Sequence, residues 1–281
     1  SVLLLLTTSS MAQVALQVSI EGIDNELLVN VRQLLSIEQQ QKSPVLSLSH
    51  VQRLHKMANN EIAQALQPFG YYRSQVDATL RLQQDGSWLA RYVVQPGEPL
   101  PLRHIDVTID GDARADEVFD ALLADSPLKA GDTLNHTLYE KHKQDLLRLA
   151  DERGYFDASL HTQAIHIDLD AYYADIELHL QSGQRYRFGE VTFTGDIKLK
   201  EDLLRRYLTF DSSTPFTSSQ LHMLQQALNQ SDYFEHIEIR VEREQAVNAQ
   251  VPVTVALTMH PRTKYRLGLG YGTDTGARAS I

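Results

Sequence analysis

One pattern occurs three times along the 281 residues, and it constrains the fold more than any single motif does. Each occurrence opens with a short alternating strand that ends in glycine: Val18, Ile20, Gly22; then Ile105, Val107, Ile109, Gly111; then Val191, Phe193, Gly195. The interval of about 85 residues exceeds the 20 to 50 of stacked solenoid repeats, so each unit reads as a small domain with its own core. A first helix follows the glycine, visible in Val118, Phe119, Leu122 and Leu123, and again in Leu203, Leu204, Tyr207 and Leu208. A second helix is announced by Ser49 with Gln52, Thr137 with Glu140, and Thr217 with Gln220, each pair spaced as a capping box. Apolar stripes at helical spacing run behind them: Val51, Leu54, Ala58, Ile62, Ala65; Leu138, His142, Leu146, Leu149; and Leu221, Leu224, Leu228. On this reading Thr137→Ala costs the middle unit about 1 kcal/mol.

The second helix ends each time at an aromatic pair, Gly70-Tyr71-Tyr72, Gly154-Tyr155-Phe156 and Asp232-Tyr233-Phe234. Glycine suits the left-handed position after a helix, and Asp232 is expected to end the third helix differently. Two strands close each unit. The last alternates cleanly: Trp88, Ala90, Tyr92, Val94; Ala174, Ile176, Leu178, Leu180; Val251, Val253, Val255, Leu257. The sequence therefore predicts an α+β chain of three tandem βααββ domains, each a three-stranded mixed sheet with two helices on one face. The boundaries are placed at 13–100, 101–183 and 184–262. The breaks at 95–99 and 181–184 are too short for free tumbling, which implies a semi-rigid arm.

Both ends read differently. Val2 to Leu6 is apolar but far shorter than the roughly 20 residues that span a bilayer, and Ser10 and Ala12, after a small polar run, have the small side chains of a signal-peptidase site. Residues 1–12 are thus read as the rear of a secretory leader, with a mature start at Gln13. At the other end, 263–281 is read as the start of a membrane β-barrel. Leu267, Leu269 and Tyr271 alternate with glycine, leaving one face apolar and the other empty. A nucleotide loop is rejected for this glycine string, because no helical period follows Gly272.

The formal charge of −10 argues against nucleic acid as a partner, and the absence of cysteine removes disulfides, thiolate zinc sites and thiol nucleophiles. The eleven histidines include no H-E-x-x-H. His161 and His166 stand five apart, which on a regular strand puts them on opposite faces. No serine elbow occurs, and Asp106, Asp110, Asp168 and Asp170 fall on polar faces or turns. No catalytic residue, metal or cofactor is assigned.

The order of these units ahead of a barrel-like strand resembles the polypeptide-transport-associated (POTRA) domains of the BamA-type outer-membrane assembly superfamily. The resemblance sharpens at Ser182-Gly183-Gln184-Arg185-Tyr186-Arg187-Phe188-Gly189-Glu190-Val191-Thr192-Phe193, and at Pro261-Arg262-Thr263 followed by Gly268 to Gly276. The count of three units is similar to the TamA branch. The resemblance implies a non-enzymatic role in assembling outer-membrane and autotransported proteins. It implies a TamB-like, inner-membrane-anchored periplasmic partner, unfolded clients, and an outer-membrane anchor through the barrel. By the same analogy the second strand of each unit is an exposed edge for strand addition, spanning 75–83, 158–167 and 236–241. The candidate contact residues are Gln75, Val76, Asp77, Ala78, Thr79, Leu80 and Arg81 in the first unit, Ser159, His161 and Gln163 in the second, and Glu238 and Arg240 in the third. The first unit, farthest from the membrane, is expected to meet the inner-membrane partner. Two other readings are the POTRA region of a two-partner secretion pore, against which the complete third unit speaks, and a secreted multidomain enzyme.

Overall fold

The computed structural model describes residues 14–43, 46–260, 268–272 and 276–280. The leader assigned to residues 1–12 lies outside them. The first repeat comprises β1 (Leu16–Glu21), α1 (Asn25–Leu34), α2 (Ser36–Gln40), α3 (Leu48–Leu66), β2 (Gln75–Leu82) and β3 (Trp88–Gln95). The second comprises β4 (Leu102–Asp110), α4 (Glu117–Ala124), α5 (His136–Glu152), β5 (Ser159–Asp168) and β6 (Tyr173–Gln181). The third comprises β7 (Arg187–Thr194), α6 (Glu201–Arg205), α7 (Ser218–Gln230), β8 (Phe234–Val241) and β9 (Gln250–Met259). A hairpin of β10 (Gly268–Gly272) and β11 (Gly276–Ser280) follows.

The three sheets have one topology: β1-β3-β2, β4-β6-β5 and β7-β9-β8. The last strand of each repeat is central. In the first and third sheets it runs parallel to the first strand and antiparallel to the second. This is the expected mixed sheet, three times over, with an extra short helix in the first copy. By density of contacts the chain divides into two units, residues 1–108, 120–146 and 160–180, and residues 109–119, 147–159 and 181–281. The middle repeat contributes to both.

The central strands carry the cores as the alternation predicts. Ala90, Tyr92 and Val94, then Ala174 to Leu180, then Val251 to Leu257 at every second residue, are all buried. Burying an aliphatic or aromatic side chain of this kind contributes about 1.5–3 kcal/mol, so the strand is the main source of sheet stability. The helix stripes of α3 and α7 also hold. In α5 the buried row is Tyr139, His142, Leu146 and Ala150, with Leu138 exposed.

The strand-end glycine has a steric cause. A Cβ on Gly195, at φ +118°, would stand 2.1 Å from the carbonyl oxygen of Leu257, and one on Gly22 would stand 2.2 Å from that of Val94. Any side chain would push the first strand off the central one.

Two helix starts differ from the sequence reading. Helix α3 is capped by Ser47, whose hydroxyl accepts the His50 N–H at 3.4 Å, and Ser49 lies inside the first turn. Helix α5 is capped by Asn135, whose Oδ1 accepts the N–H groups of Thr137 and Leu138 at 2.9 and 3.2 Å. Asparagine caps at least as well as threonine and sits two residues earlier, so Thr137 has no capping to do. Thr217 does occupy the cap of α7, but its hydroxyl donates to Gln220 Oε1 at 3.0 Å instead of accepting a backbone N–H.

The turn after the second helix is also a joint. Gly70, at φ +83°, accepts the Leu100 N–H at 2.8 Å, and a Cβ there would come within 2.5 Å of the Leu134 oxygen. Gly154, at φ +84°, accepts the Tyr186 N–H at 2.8 Å, and its Cβ would meet that of Phe216 at 2.8 Å. The same turn of one repeat thus seats the start of the next. Asp232 adopts the same left-handed conformation, at φ +57°, yet the third helix ends differently, as expected: Tyr71 and Tyr155 donate back to the Leu66 and Ala150 carbonyls, whereas the Tyr233 N–H meets the Ser231 hydroxyl at 3.4 Å and that hydroxyl donates to the Leu228 carbonyl at 2.6 Å. Aspartate tolerates that region better than most residues.

Candidate functional site

The topology makes the second strand of every repeat a sheet margin. In β2 the N–H of Gln83 donates to the Ser87 carbonyl at 2.8 Å. Bonded and non-bonded pairs alternate along an antiparallel ladder. The register from Gln75↔Gln95 to Leu82↔Trp88 therefore turns the backbone groups of Gln75, Asp77, Thr79 and Arg81 into the sheet. Those of Val76, Ala78, Leu80 and Leu82 turn outward, and no loop or turn bonds to them among the described residues. The two sets have opposite jobs. Val76, Ala78 and Leu80 rest their side chains on the core while their backbone is free, whereas Gln75, Asp77, Thr79 and Arg81 expose side chains but spend their backbone on β3.

Strand β8 repeats the arrangement. The Glu242 N–H donates to the Pro252 carbonyl at 2.9 Å, so Glu238 and Arg240 bond into the sheet and Ile237, Ile239 and Val241 face outward. Glu238 and Arg240 form an ion pair at 3.6 Å on the exposed face. Of the candidates in β5, Ser159, His161 and Gln163 are exposed. His161 meets His179 edge-on with ring centroids 6.1 Å apart, and His166 stands 3.7 Å from Glu177. Glu177 and His179 share a face, so His161 and His166 do too, contrary to the strand rule. The cause is a slip in the alternation at Ala164 and Ile165, both half-buried. Among the described residues no group of three or more histidines and carboxylates is placed to hold a metal ion.

The first strands are margins as well, the second edge that any three-stranded sheet has, and the chain covers their starts, which no sequence pattern announced. The Val14 N–H donates to Leu46. Leu102 bonds to Asp132 and Gly131 at 2.8 and 2.7 Å, and Phe188 bonds to Thr214 at 3.0 Å. In each case the segment leading into the second helix lies along the first strand. β7 then bulges between Phe188 and Val191. Covering and bulging are standard protections of a sheet edge. Among the described residues no loop or turn hydrogen bond covers β2 or β8 in this way.

The strongest polar cluster is structural. Asp116, 9% exposed, accepts Arg153 Nε and Nη2 at 3.0 and 2.9 Å, the Tyr155 hydroxyl at 3.1 Å and the Val118 N–H at 3.3 Å. Burial alone would raise its pKa, but the Arg153 pair and these bonds hold it below the ordinary carboxylate value. Burial and the adjoining carboxylate push the Tyr155 phenol up to about 12. These partners are all supplied by the chain itself, so the carboxylate ties α4 to the end of α5.

At the tail, Gly268 to Gly272 form a strand as the alternation predicts, paired antiparallel with Gly276 to Ser280. Leu269 and Tyr271 lie on it, and Leu267 lies outside the described residues. No described helix is long and apolar enough to cross a membrane.

Residues 17–96 match the family model described as POTRA domain TamA domain 1, and residues 104–183 and 186–259 match that described as POTRA, surface antigen variable number repeat. Over 102 residues, 36% of the chain, the sequence is 24% identical to the outer membrane protein assembly factor BamA of Neisseria meningitidis, and the match spans 13% of that protein. The structure of BamA from Haemophilus ducreyi lacking POTRA domains 1–3 has the same fold, at TM-score 0.50 and 17% identity, covering 63% of this chain and 32% of that one. BamA POTRA3-5 from Haemophilus influenzae aligns at TM-score 0.46 and 17% identity, over 88% of this chain and 96% of that one. With a match on each of three copies of one fold, from residue 17 to residue 259, the chain belongs to the POTRA family, as the POTRA region of a BamA/TamA-type protein.

Proposed function

We propose that this chain is the periplasmic POTRA region of an outer-membrane protein assembly and translocation factor, and that it binds polypeptides by strand addition on its second-strand margins. The domains are 13–100, 101–183 and 184–262. The observation that carries the reading is the outward row of Val76, Ala78, Leu80 and Leu82, uncovered along a straight strand. Main-chain pairing on such a row tolerates many client sequences, which suits unfolded outer-membrane proteins and autotransporters. The first repeat takes a TamB-like inner-membrane-anchored partner, and the strand bearing Leu267, Leu269 and Tyr271 enters a membrane barrel with those side chains toward lipid. The role is binding, not catalysis.

The test is photocrosslinking from single sites along 75–83 in cells that make the full-length protein. Adducts are expected at Gln75, Asp77, Thr79 and Arg81, whose side chains stand beside an added strand, and weaker ones at the core-facing Val76, Ala78 and Leu80. A complete lack of adducts there, and at Ser159, His161, Gln163, Glu238 and Arg240, overturns the reading.

A further inference from the structure

The first-strand margins of the second and third repeats are covered only at their starts. In β7, Arg187 donates its N–H to Ala249 and so bonds inward, while Phe188 bonds outward to Thr214. Beyond the bulge, the central strand alternates between its two neighbours: Pro252 serves β8, so Val253 and Val255 serve β7. In a parallel ladder this commits Thr192 and Thr194 to the sheet and turns the N–H and C=O of Val191 and Phe193 outward. No protein group bonds to them among the described residues. Val191 is only 6% exposed, and the surface it has lines a cleft of about 600 Å³ between Gly189 and Glu190 on the strand side and Arg205, Leu208 and Phe210 opposite. Backbone groups so placed are normally paired.

The same cleft recurs in the second repeat. Pro101 bonds inward to Ala174 and Leu102 outward to Asp132, yet Asp110 bonds inward to Ser182. Inward residues of opposite parity require one extra residue between them, a bulge, after which Ile105 and Val107 face outward. They line a cleft of about 380 Å³ with Arg103, Leu123 and Leu128. In both repeats the chain's own segment runs antiparallel to the first strand just before the bulge, at Thr133 against Pro101 and at Pro215 against Arg187. The margin therefore already accepts an antiparallel strand where the chain provides one, and past the bulge it offers the same groups beside a cleft of mixed lining, in the third repeat Val191, Leu208 and Phe210 among Glu190, Arg205 and Asp211.

We infer that the clefts beside the bulges of β4 and β7 are second polypeptide-binding grooves. Each takes an extended client segment antiparallel to the first strand, with alternate apolar side chains on Ile105 and Val107 or on Val191 and Phe210. The inference rests on the proposed function and adds a site on the opposite edge of the sheet from the one proposed there.

Residue-resolved amide exchange on the intact chain tests it, with an extended peptide of alternating valine and threonine as the probe and its scrambled version as control. Binding is expected to slow exchange of the Val107 and Phe193 amides about tenfold, with those of Thr192 and Thr194 unchanged. Leu208→Trp, which fills the larger cleft, should abolish the effect at Phe193 and leave that at Val107. Slowing confined to Val76, Ala78 and Leu80 overturns the second grooves and leaves the proposed function standing. No slowing on either edge overturns both.

Discussion

Asp116 and Arg153 meet through two parallel hydrogen bonds of 3.0 and 2.9 Å, with the carboxylate almost wholly buried and Arg185 3.6 Å from its Oδ2. Removing one partner of such a pair strands the other charge, which costs about 3 kcal/mol. Asp116→Ala is therefore expected to lower the denaturant midpoint sharply, while Asp175→Ala, which breaks an exposed pair with Arg103, should move it little. The folded pKa of Asp116 lies below the unfolded one, so its contribution is present above about pH 4 and fades as pH falls through the folded value. Wild type and Asp116→Ala should converge in acid, and equal differences at pH 7 and pH 3 would refute this account.

Asn135, not Thr137, begins the long helix of the middle repeat. Asn135→Ala should cost about 1 kcal/mol and Thr137→Ala a few tenths, read as denaturant midpoints. The reverse order would move the cap back to the threonine.

Among the described residues the buried ring of His142 finds no hydrogen-bond partner at either nitrogen, and burial lowers its pKa. The unfolded state binds the proton more readily, so stability is lost as pH falls below about 6.5. His142→Leu fills the same space with no polar group and should be more stable, by a margin that widens between pH 7 and pH 5. A constant margin across that range would show that the ring does not titrate on unfolding.

Asp232 holds a left-handed backbone that glycine adopts without strain. Asp232→Gly is expected to raise stability by about 0.5 kcal/mol, whereas Gly154→Asp should lower it by several times as much, because only there does a side chain strike Phe216. Comparable changes at both sites would contradict the steric distinction.

What the sequence made legible followed from periodicity. The run Val251, Val253, Val255, Leu257 could be nothing but a half-buried strand, and three such runs at one spacing dictated three copies of one sheet. The helix starts were misplaced where two capping residues compete: the pattern Thr137 with Glu140 is a valid box, and only the backbone path shows that Asn135 reaches the free N–H groups first. The histidine faces were lost to a slip at Ala164 and Ile165 that leaves no mark in composition. The row of outward groups on β2 belonged to the very residues the alternation assigned to the core, since Val76 and Leu80 point their side chains one way and their free backbone another. Which margins the chain covers for itself depends on contacts between Leu102 and Asp132, about 30 residues apart, that no local pattern encodes.

The seating of each new repeat on the preceding Gly70 or Gly154 turn also limits how such a chain can change length. A spliced-in copy succeeds only as a whole module, one that brings the start of its own first strand to a turn of the Gly70 or Gly154 kind.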